Sequence, residues 1–189
     1  MMEVTKTAIE GVLLLKPRVF GDARGFFFET WQAERHAAAG VPGPFVQDNL
    51  SSSAHGILRG LHVQHPHAQG KLVSVIEGEV FDVAVDIRRD SPTFGRHVSA
   101  VLSGKNHHQL YVPPGFAHGF CVTSDHAIFA YKCTDFYHPE CEFSIVWNDP
   151  DIAISWPLND PQLSDKDRDA PRLRDVPRER LPRYQESIR

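Results

Sequence analysis

The sequence predicts a mainly β protein, an antiparallel sandwich or barrel with a few short helices. Short runs of apolar and β-branched residues recur along the chain, separated by turn-forming residues. One central run, residues 80–87, alternates with period two, and only residues 31–39 have the pattern of a convincing helix. Many short strands joined by turns are typical of antiparallel sandwiches and barrels.

The N-terminal part combines strands and turns with that one helix. Residues 31–39 are rich in Ala and Glu, and Thr30 is available as N-cap and Gly40 as C-terminal stop. A cluster of turn formers occupies residues 21–25. The predicted strands of this part cover residues 12–15, 26–30 and 45–50.

The clearest strand is residues 80–87, entered by a turn at 76–79. We expect its odd-numbered apolar residues, 81 to 87, to face the core. The other face carries Asp82 and Asp86, which either lie in water or line a polar cavity. Further short strands are predicted at residues 97–102, 109–112, 120–123, 127–133 and 143–147.

Lys71 opens another strand and heads a row of apolar side chains. Alternate residues of a strand share a face, so Val73 and Val75 follow Lys71 on its side. A cation in that position is costly unless an anion meets it. Two interpretations stay open: Lys71 reaches out to water, or it is an electrostatic clamp in a pocket where His62 is a base.

The C-terminal part changes character. Residues 163–167 resemble a helix start, with Ser164 as N-cap and Asp167 at the capping-box position. Residues 172–189 are polar and rich in Arg and Pro, and we interpret them as a solvated arm or a strap over a neighbouring surface. We therefore predict one domain, residues 1–189, with an N-terminal strand arm and a C-terminal tail of short helices.

Composition excludes several classes of partner. The chain has 189 residues, 41% of them hydrophobic and 23% charged, as in an ordinary folded domain. A formal net charge of −4 gives no electrostatic argument for nucleic acid or an anionic membrane. No apolar run approaches the roughly 20 residues of a membrane span, and the N-terminus lacks a cleavable signal design. We expect a cytoplasmic protein whose three cysteines are reduced and buried.

Neither a metal nor a cofactor is expected. Phosphate-loop, dinucleotide-binding and nucleophile-elbow patterns are missing from the sequence. Pro66 interrupts strand alternation among the candidate metal ligands, Lys71 would repel an ion, and Glu77 precedes a turn glycine. The candidates that these observations disfavour as ligands are His62, His65 or His67, Glu77 and His118.

A histidine, a lysine, a tyrosine and carboxylates can move protons without a cofactor. A base removes an acidic C–H beside a carbonyl, a cation stabilises the enolate oxygen, and an acid returns a proton. A carboxylate can fix the tautomer of the histidine. The residues themselves thus suggest an isomerase or epimerase in a β-barrel.

Segments spread over residues 7–171 carry a resemblance to a known family. They are DARGFFFETW (22–31), QDNLS (47–51), GILRGLHVQ (56–64), QGKLV (69–73), DVAVDIRRDSPTFG (82–95), LYVPPGFAHGF (110–120), AYKCTDFYHPECE (130–142), WNDPDIAISWP (147–157) and LSDKD (163–167). Together they make the chain similar to the dTDP-4-dehydrorhamnose 3,5-epimerase family, sugar-nucleotide epimerases of cupin fold. The resemblance implies a cupin-type antiparallel jelly-roll barrel and a homodimer that exchanges N-terminal strands.

The resemblance also implies roles at matching positions. His62 would be the base, partnered by Asp167, and Tyr131 the acid on the opposite face of the sugar. Lys71 would hold the C4 oxygen of a dTDP-4-keto-6-deoxy-hexose, so that both C3 and C5 are acidified and no cofactor is needed. Further positions implied to bind substrate are Arg24, Glu29, Gln47, Asn49, Arg59, His118, Glu142 and Lys166.

Several residues have a plainer alternative. Tyr131 shares strand parity with Phe129 and could belong to the core. Asp167 could only cap a helix, His118 could be a loop histidine bonded to backbone, and Arg59 could pair with a surface carboxylate.

Arg24 and Glu29 fall on opposite parities of an ideal strand, which leaves two interpretations for one of them: it reaches the site from the turn, or it serves the neighbouring subunit's site. Two features depart from the family pattern and could reshape the pocket: Val63 stands where an aromatic residue is common, and the loop at 65–69 is short.

Three other functions stay open at this stage. A single-centre epimerase of a secondary-metabolite pathway would share the fold and most of the site. A non-enzymatic sugar-binding cupin would bind the nucleotide sugar without moving protons. A metal-dependent cupin oxygenase would need an ion.

Overall fold

The computed structural model describes residues 2–184, which form two antiparallel sheets, a separate hairpin and short helices. The strands are β1 (Glu3–Lys6), β2 (Leu13–Lys16), β3 (Val19–Asp22), β4 (Gly25–Phe28), β5 (Gln47–Ala54), β6 (Leu58–Gln64), β7 (Lys71–Glu77), β8 (Glu79–Asp86), β9 (His97–Ser103), β10 (Gln109–Val112), β11 (Phe116–Val122), β12 (His126–Cys133) and β13 (Glu142–Ser144). The helices are α1 (Ala33–Ala38), α2 (Asp165–Arg168) and the 3-10 turns Pro139–Cys141, Leu173–Asp175 and Arg178–Arg180.

The sheets follow a jelly-roll order. One holds six strands in the order β1-β2-β10-β7-β12-β5, and the other holds five in the order β13-β6-β11-β8-β9. Strands β3 and β4 pair with each other as a two-stranded hairpin. The prediction of a mainly β, antiparallel cupin-type barrel is confirmed.

The main core lies between the two sheets. Val73 and Val75 of the six-stranded sheet face Ala84 and Phe120 of the five-stranded one, and Phe129 stacks on Phe120 at 4.1 Å. Because β7 buries Val73 and Val75 here, Lys71 stands at the end of an inward-facing row, as its strand parity predicts.

A second core covers the outer face of the five-stranded sheet. Val83, Val85 and Ile87 of the β8 segment pack there under Leu173 and Leu181. The C-terminal segment, as far as residue 184, is therefore a strap over its own barrel; the rest of the predicted arm, residues 185–189, lies outside the described residues.

This arrangement corrects the expectation for residues 80–87. The odd-numbered face packs in the outer core, whereas Asp82 and Asp86 point to the barrel side and are fully buried, away from bulk water. Both faces of β8 are covered because the strap hides the outer one.

The helix and several strands differ from the prediction in where they begin or in number. The helix begins at Ala33 rather than 31, and its N-cap is Gln32, whose side chain accepts from the Arg35 amide; Thr30 is not the cap. Gly40 follows the helix at φ +90°, the left-handed geometry expected of a stop. Strands β1, β3 and β6 add to those predicted, and β11 starts at Phe116, four residues earlier than expected.

Within residues 2–184, no helix combines the length and apolar character needed to cross a bilayer. Cys121, Cys133 and Cys141 are free and buried, as predicted.

Breaking the buried ion pair between Asp86 and Arg88 should strongly destabilise the fold. Asp86, 0% exposed, accepts bonds from Arg88, Ser91 and Thr93, and the Arg88 side chain is 4% exposed. Burial raises the pKa of Asp86, but these bonds outweigh it and lower the pKa below its ordinary 3.8. Asp86→Asn leaves the guanidinium buried without its counter-charge, so urea unfolding at pH 7 should show a loss of about 3 kcal/mol.

The Asp86 carboxylate should stabilise the fold at neutral pH and not in acid. A depressed carboxyl pKa gives stability that is present above about pH 4 and is lost as the pH falls through the lowered value. The difference between wild type and Asp86→Asn should therefore shrink in acid. Asp48→Asn is the matched control, because Asp48 is 68% exposed and its pair with Lys132 should contribute about 1 kcal/mol or less. Equal losses of unfolding free energy in Asp86→Asn and Asp48→Asn would contradict the larger effect expected for the buried pair.

Candidate active site

Strand β6 contains a bulge that determines which face of the sheet its side chains point to. His62 lies opposite His118 of β11, but Arg59 lies opposite Phe120, so β6 holds one extra residue in between. Gly60 sits at this point with φ +119°, and a Cβ there would lie 2.6 Å from the Cα of Gly119. Only glycine permits that approach. The bulge reverses the parity between Arg59 and His62.

His62 forms a dyad with a carboxylate. Its Nε2 lies 2.7 Å from Oδ1 of Asp167, and the Gly60 amide donates to Oδ2 at 3.4 Å. Ser164 caps α2, as predicted, but the Asp167 side chain turns to His62 instead of capping. The alternative that Asp167 is only a capping acid is therefore wrong.

The dyad is anchored on one side and open on the other. The Asp167 side chain is 4% exposed and that of His62 is 30% exposed. Burial raises the pKa of Asp167, but the hydrogen bond and charge of His62, with the contacts to Ser164 and Gly60, lower it overall. An ionised carboxylate holds one ring nitrogen, which leaves the other as a proton acceptor.

Tyr131 and Lys71 lie on the opposite sheet. In the register of β7 and β12, Lys71 is opposite Cys133 and Tyr131 is opposite Val73, which places them diagonally on one face. The Nζ of Lys71 lies 5.8 Å from the centre of the Tyr131 ring. Phe129 links the two sheets, with ring centres 6.0 Å from Tyr131 and 6.2 Å from His118.

The environment of Tyr131 keeps its phenol protonated. Burial raises the pKa of Tyr131, Cys133 acts in the same direction, and the positive charge of Arg59 opposes them. The pKa is raised overall, so at neutral pH the hydroxyl is a proton donor. Tyr131 is half-buried at the edge of the core rather than fully inside it.

Lys71 is a desolvated cation. Burial lowers its pKa, while the negative potential of Cys133, Glu142 and Asp82 opposes that effect. Lys71 is half-buried and does not point freely into water, against the interpretation that it snorkels. An anionic oxygen beside it would favour the ammonium form, since an opposite charge raises a lysine pKa.

Glu142 of β13 and Lys166 of α2 form an ion pair near the His62–Asp167 dyad. Glu142 pairs with Lys166 and accepts from the Tyr137 hydroxyl at 2.9 Å. Burial raises the pKa of Glu142, but these two contacts and the charge of His62 lower it overall. Glu142 is therefore a carboxylate, and its negative charge acts on both His62 and Lys71.

Strand β5 contributes amides and a hydroxyl. Asn49 is opposite Tyr131 in the register, and its amide contacts Cys133 Sγ at 3.7 Å. Gln47 donates to Asn49 at 3.1 Å. Arg59 is exposed and donates to Ser53 at 3.0 Å, so it does not pair with a surface carboxylate.

His118 is a strand residue and not a loop histidine. Its Nε2 lies 2.9 and 3.0 Å from the two oxygens of Asp82, and both side chains are buried. The Asp82 carboxylate gives the buried His118 ring a hydrogen-bond partner and holds it on β11, where His118 lies opposite His62 of β6. Asp82 was not foreseen as part of the site, and neither was Tyr137; the polar face of the 80–87 alternation was the one available signal.

Arg24 and Glu29 are not brought to this group. Arg24 pairs with Asp22 at the tip of the β3–β4 hairpin, and Glu29 pairs with Arg35 of α1. Among the described residues, neither bonds to the side chains around His62 or Tyr131.

The histidines considered as a metal set are dispersed. His62 is held by Asp167, His118 by Asp82, and Glu77 pairs with His126 beyond the other end of β7. The arrangement that remains is an imidazole–carboxylate dyad on one sheet, with an ammonium and a phenol on the other. Such a set can remove a proton, stabilise an enolate and return a proton.

Comparisons with known proteins point to one chemistry. The family model described as dTDP-4-dehydrorhamnose 3,5-epimerase matches residues 6–175. The chain is 59% identical over 169 residues to the dTDP-4-dehydrorhamnose 3,5-epimerase of Pseudomonas aeruginosa, covering 88% of this chain and 93% of that one.

Solved structures agree. The dTDP-6-deoxy-D-glucose-3,5-epimerase of Legionella pneumophila, in complex with dTDP-4-keto-L-rhamnose, is 55% identical with a TM-score of 0.96, over 98% of this chain and 100% of that one. A 3'-monoepimerase of Streptomyces bikiniensis, in complex with dTDP-quinovose, is 36% identical with a TM-score of 0.89, over 95% and 92%.

Proposed function

The chain belongs to the dTDP-4-dehydrorhamnose 3,5-epimerase family, and on that premise we propose that His62, Lys71 and Tyr131 perform its reaction. The enzyme is an isomerase that converts dTDP-4-dehydro-6-deoxy-D-glucose to dTDP-4-dehydro-L-rhamnose in dTDP-rhamnose biosynthesis. Two centres, C3 and C5, are inverted beside the C4 ketone.

The base is His62. The 2.7 Å contact to Asp167 is the observation that carries this role, because it fixes one ring nitrogen and frees the other. Loss of the C3 or C5 proton to the imidazole leaves an imidazolium, which the buried carboxylate stabilises. Asp167 is thus a positioning residue.

Lys71 stabilises the enolate. Both proton abstractions place the developing negative charge on the same C4 oxygen, so one cation serves two epimerisations. A desolvated ammonium acts more strongly there than one in water, because the local dielectric is low. No cofactor or metal ion is required by this scheme.

Tyr131 returns the proton on the opposite face. Its raised pKa keeps the donor loaded at neutral pH. The implied substrate-binding residues Gln47, Asn49, Arg59, His118, Glu142 and Lys166 are proposed to surround the sugar and its diphosphate, with Arg59 suited to the phosphates. Their places beside the dyad and Tyr131 support this assignment.

Tyr131→Phe should separate proton abstraction from inversion. With His62 intact, the carbanion still forms and takes solvent deuterium on its original face, whereas inverted product should fall roughly 10²-fold or more. Proton NMR of the sugar in D₂O measures both. Tyr184→Phe is the matched control, since the Tyr184 hydroxyl bonds to exposed Glu10. Normal inversion in Tyr131→Phe would exclude Tyr131 as the acid.

Product analysis tests the function itself. Incubation with dTDP-4-dehydro-6-deoxy-D-glucose should give the sugar inverted at both C3 and C5, assigned by positional NMR. Inversion at one centre would make the chain a single-centre epimerase. Binding of the nucleotide sugar without any conversion would make it a sugar-binding protein.

A homodimer would complete the site. The β3–β4 hairpin pairs only with itself among the described residues, and its Phe26 and Phe27 are 62% and 71% exposed. An apolar hairpin of this kind is suited to a partner subunit. We infer that exchanged N-terminal strands carry Arg24 and Glu29 into the partner's site.

Complementation tests the exchange. In a mixed dimer of Arg24→Ala and His62→Ala chains, one site would collect both defects and the other would be intact. Mixing the two variants should therefore restore activity at low substrate concentration. If no activity returns although mixed dimers form, the hairpin serves its own subunit.

We also infer a cytoplasmic location. The support is that Cys121, Cys133 and Cys141 are free and buried, as is usual where thiols stay reduced. Fractionation should recover the chain with cytoplasmic markers, and recovery with membranes would contradict this.

A further inference from the structure

Two loops at one end of the barrel bring together His67, Asp135 and His138, called here the loop cluster. One ligand-type atom from each lies within 4.8 Å of the other two, and among residues 2–184 no other group of three meets that condition. None of the three residues is part of the proposed reaction. All are at least partly exposed, so an ion could reach them.

The backbone under the loop cluster is fixed by one buried glutamine. Gln64 Nε2 donates to the carbonyls of His67 and Phe136, and its Oε1 accepts from the His138 amide at 2.8 Å. Gln69 adds a bond to the Asp135 carbonyl at 2.9 Å. The two loops are therefore held together before any ligand binds, which lowers the entropy cost of binding one.

The spacing of two donors fits an ion between them. Nδ1 of His67 lies 3.6 Å from Oδ2 of Asp135, longer than a good hydrogen bond. Two donors about 2.0–2.1 Å from a tetrahedral ion are about 3.3–3.4 Å apart. The observed distance is close to that value.

The third donor has an outer partner. Oε1 of Glu140 lies 3.3 Å from Nδ1 of His138, which directs the other nitrogen, Nε2, away as the free ligand atom. A carboxylate on the remote nitrogen is the usual support of a metal-binding histidine. The His67 and His138 rings are stacked at 4.2 Å and 18°, so one ring must turn about its Cβ–Cγ bond to point at a common ion. The His67 side chain, 52% exposed, has room to turn.

We propose that the loop cluster binds one divalent transition-metal ion of the Zn²⁺ type, with His67, Asp135 and His138 as ligands and water in the fourth place. Two imidazoles and one carboxylate suit Zn²⁺ and its neighbours, whereas Mg²⁺ and Ca²⁺ prefer an all-oxygen set. The bound ion ties the loop that precedes Lys71 to the loop that follows β12, the strand of Tyr131. Its role is to stiffen the two loops rather than to take part in proton transfer.

Calorimetric titration of the tag-free, chelator-treated chain with ZnCl₂ tests this site. We expect one saturable Zn²⁺ per chain and no comparable signal with MgCl₂. His67→Ala and His138→Ala should each weaken binding at least about tenfold, and Glu140→Gln should weaken it by roughly 10–100-fold. At the same Zn²⁺ concentration, the rise in Tm should be larger for the wild type than for the two alanine variants.

His126→Ala is the matched control. His126 also faces a carboxylate, Glu77 at 3.2 Å, and its side chain is 51% exposed, but it lies outside the loop cluster. It should leave Zn²⁺ binding unchanged. The proposal fails if no saturable binding occurs, if His126→Ala weakens binding as much as His67→Ala, or if the folded alanine variants bind as the wild type does.

Discussion

His62→Ala should lower kcat by roughly 10³-fold or more and leave dTDP binding nearly unchanged. A positioned general base contributes on the order of 10²–10⁴-fold, and here the same imidazole would start both epimerisations. Its interaction with the proton in flight exists only in the transition state, so the nucleotide affinity of the ground state is spared.

Steady-state kinetics and calorimetry with dTDP measure the two effects. His55→Ala is the control, because His55 is exposed and its ring bonds to the Ser124 carbonyl, away from the dyad. Asp167→Asn should give an intermediate loss, since the ring remains but its tautomer and charge are no longer held. A His62→Ala enzyme with near-normal kcat would show that the base lies elsewhere.

Lys71→Met should lower kcat by roughly 10²–10³-fold without lowering stability. Removal of one preorganised donor to a developing oxyanion has an effect of that size. Methionine has an unbranched side chain slightly shorter than that of lysine, and it fits the apolar row of Val73 and Val75. Because a desolvated ammonium is costly, the substitution should leave the Tm unchanged or raise it.

The alkaline limb of the rate profile gives a second readout. Burial lowers the pKa of Lys71 in the free enzyme below its ordinary 10.5, so wild-type kcat/KM should fall with rising pH before that value, as the ammonium is lost. The residual rate of Lys71→Met should lack that limb. Lys132→Met is the control, since Lys132 lies on the same sheet but pairs with Asp48. A Lys71→Met enzyme with normal kcat would remove the clamp from the scheme.

Much of the barrel was predictable because its strands carry local signals. The alternation at residues 80–87 fixed β8, and Pro or Gly turns marked most strand ends. Which face of β8 is inside was not predictable, because Val83 and Val85 are covered by Leu173 and Leu181 from a polar, Arg- and Pro-rich segment. The alternation does have a polar side, but Asp82 and Asp86 on that side are buried in the barrel, so polarity does not show which face is outside.

Some features of the site were likewise predictable from the sequence, and others were not. Lys71 and Tyr131 could be placed on inward faces from parity alone, and Ser164 from its capping pattern. The bulge at Gly60 could not be foreseen, because it depends on the approach of Gly119 from another strand. Without the bulge, Arg59 and His62 have opposite parities. The pairing of Asp82 with His118 also depends on strand register, which the sequence does not show.

Solvent exchange tests the proposed mechanism most directly. In D₂O, the wild-type enzyme should place deuterium at both C3 and C5 of the dTDP-4-keto-sugar, as followed by NMR. In the His62→Ala enzyme, deuterium incorporation at C3 and at C5 should be much slower than in the wild type. Wild-type turnover without deuterium at these positions, or undiminished exchange in His62→Ala, would contradict proton abstraction by His62.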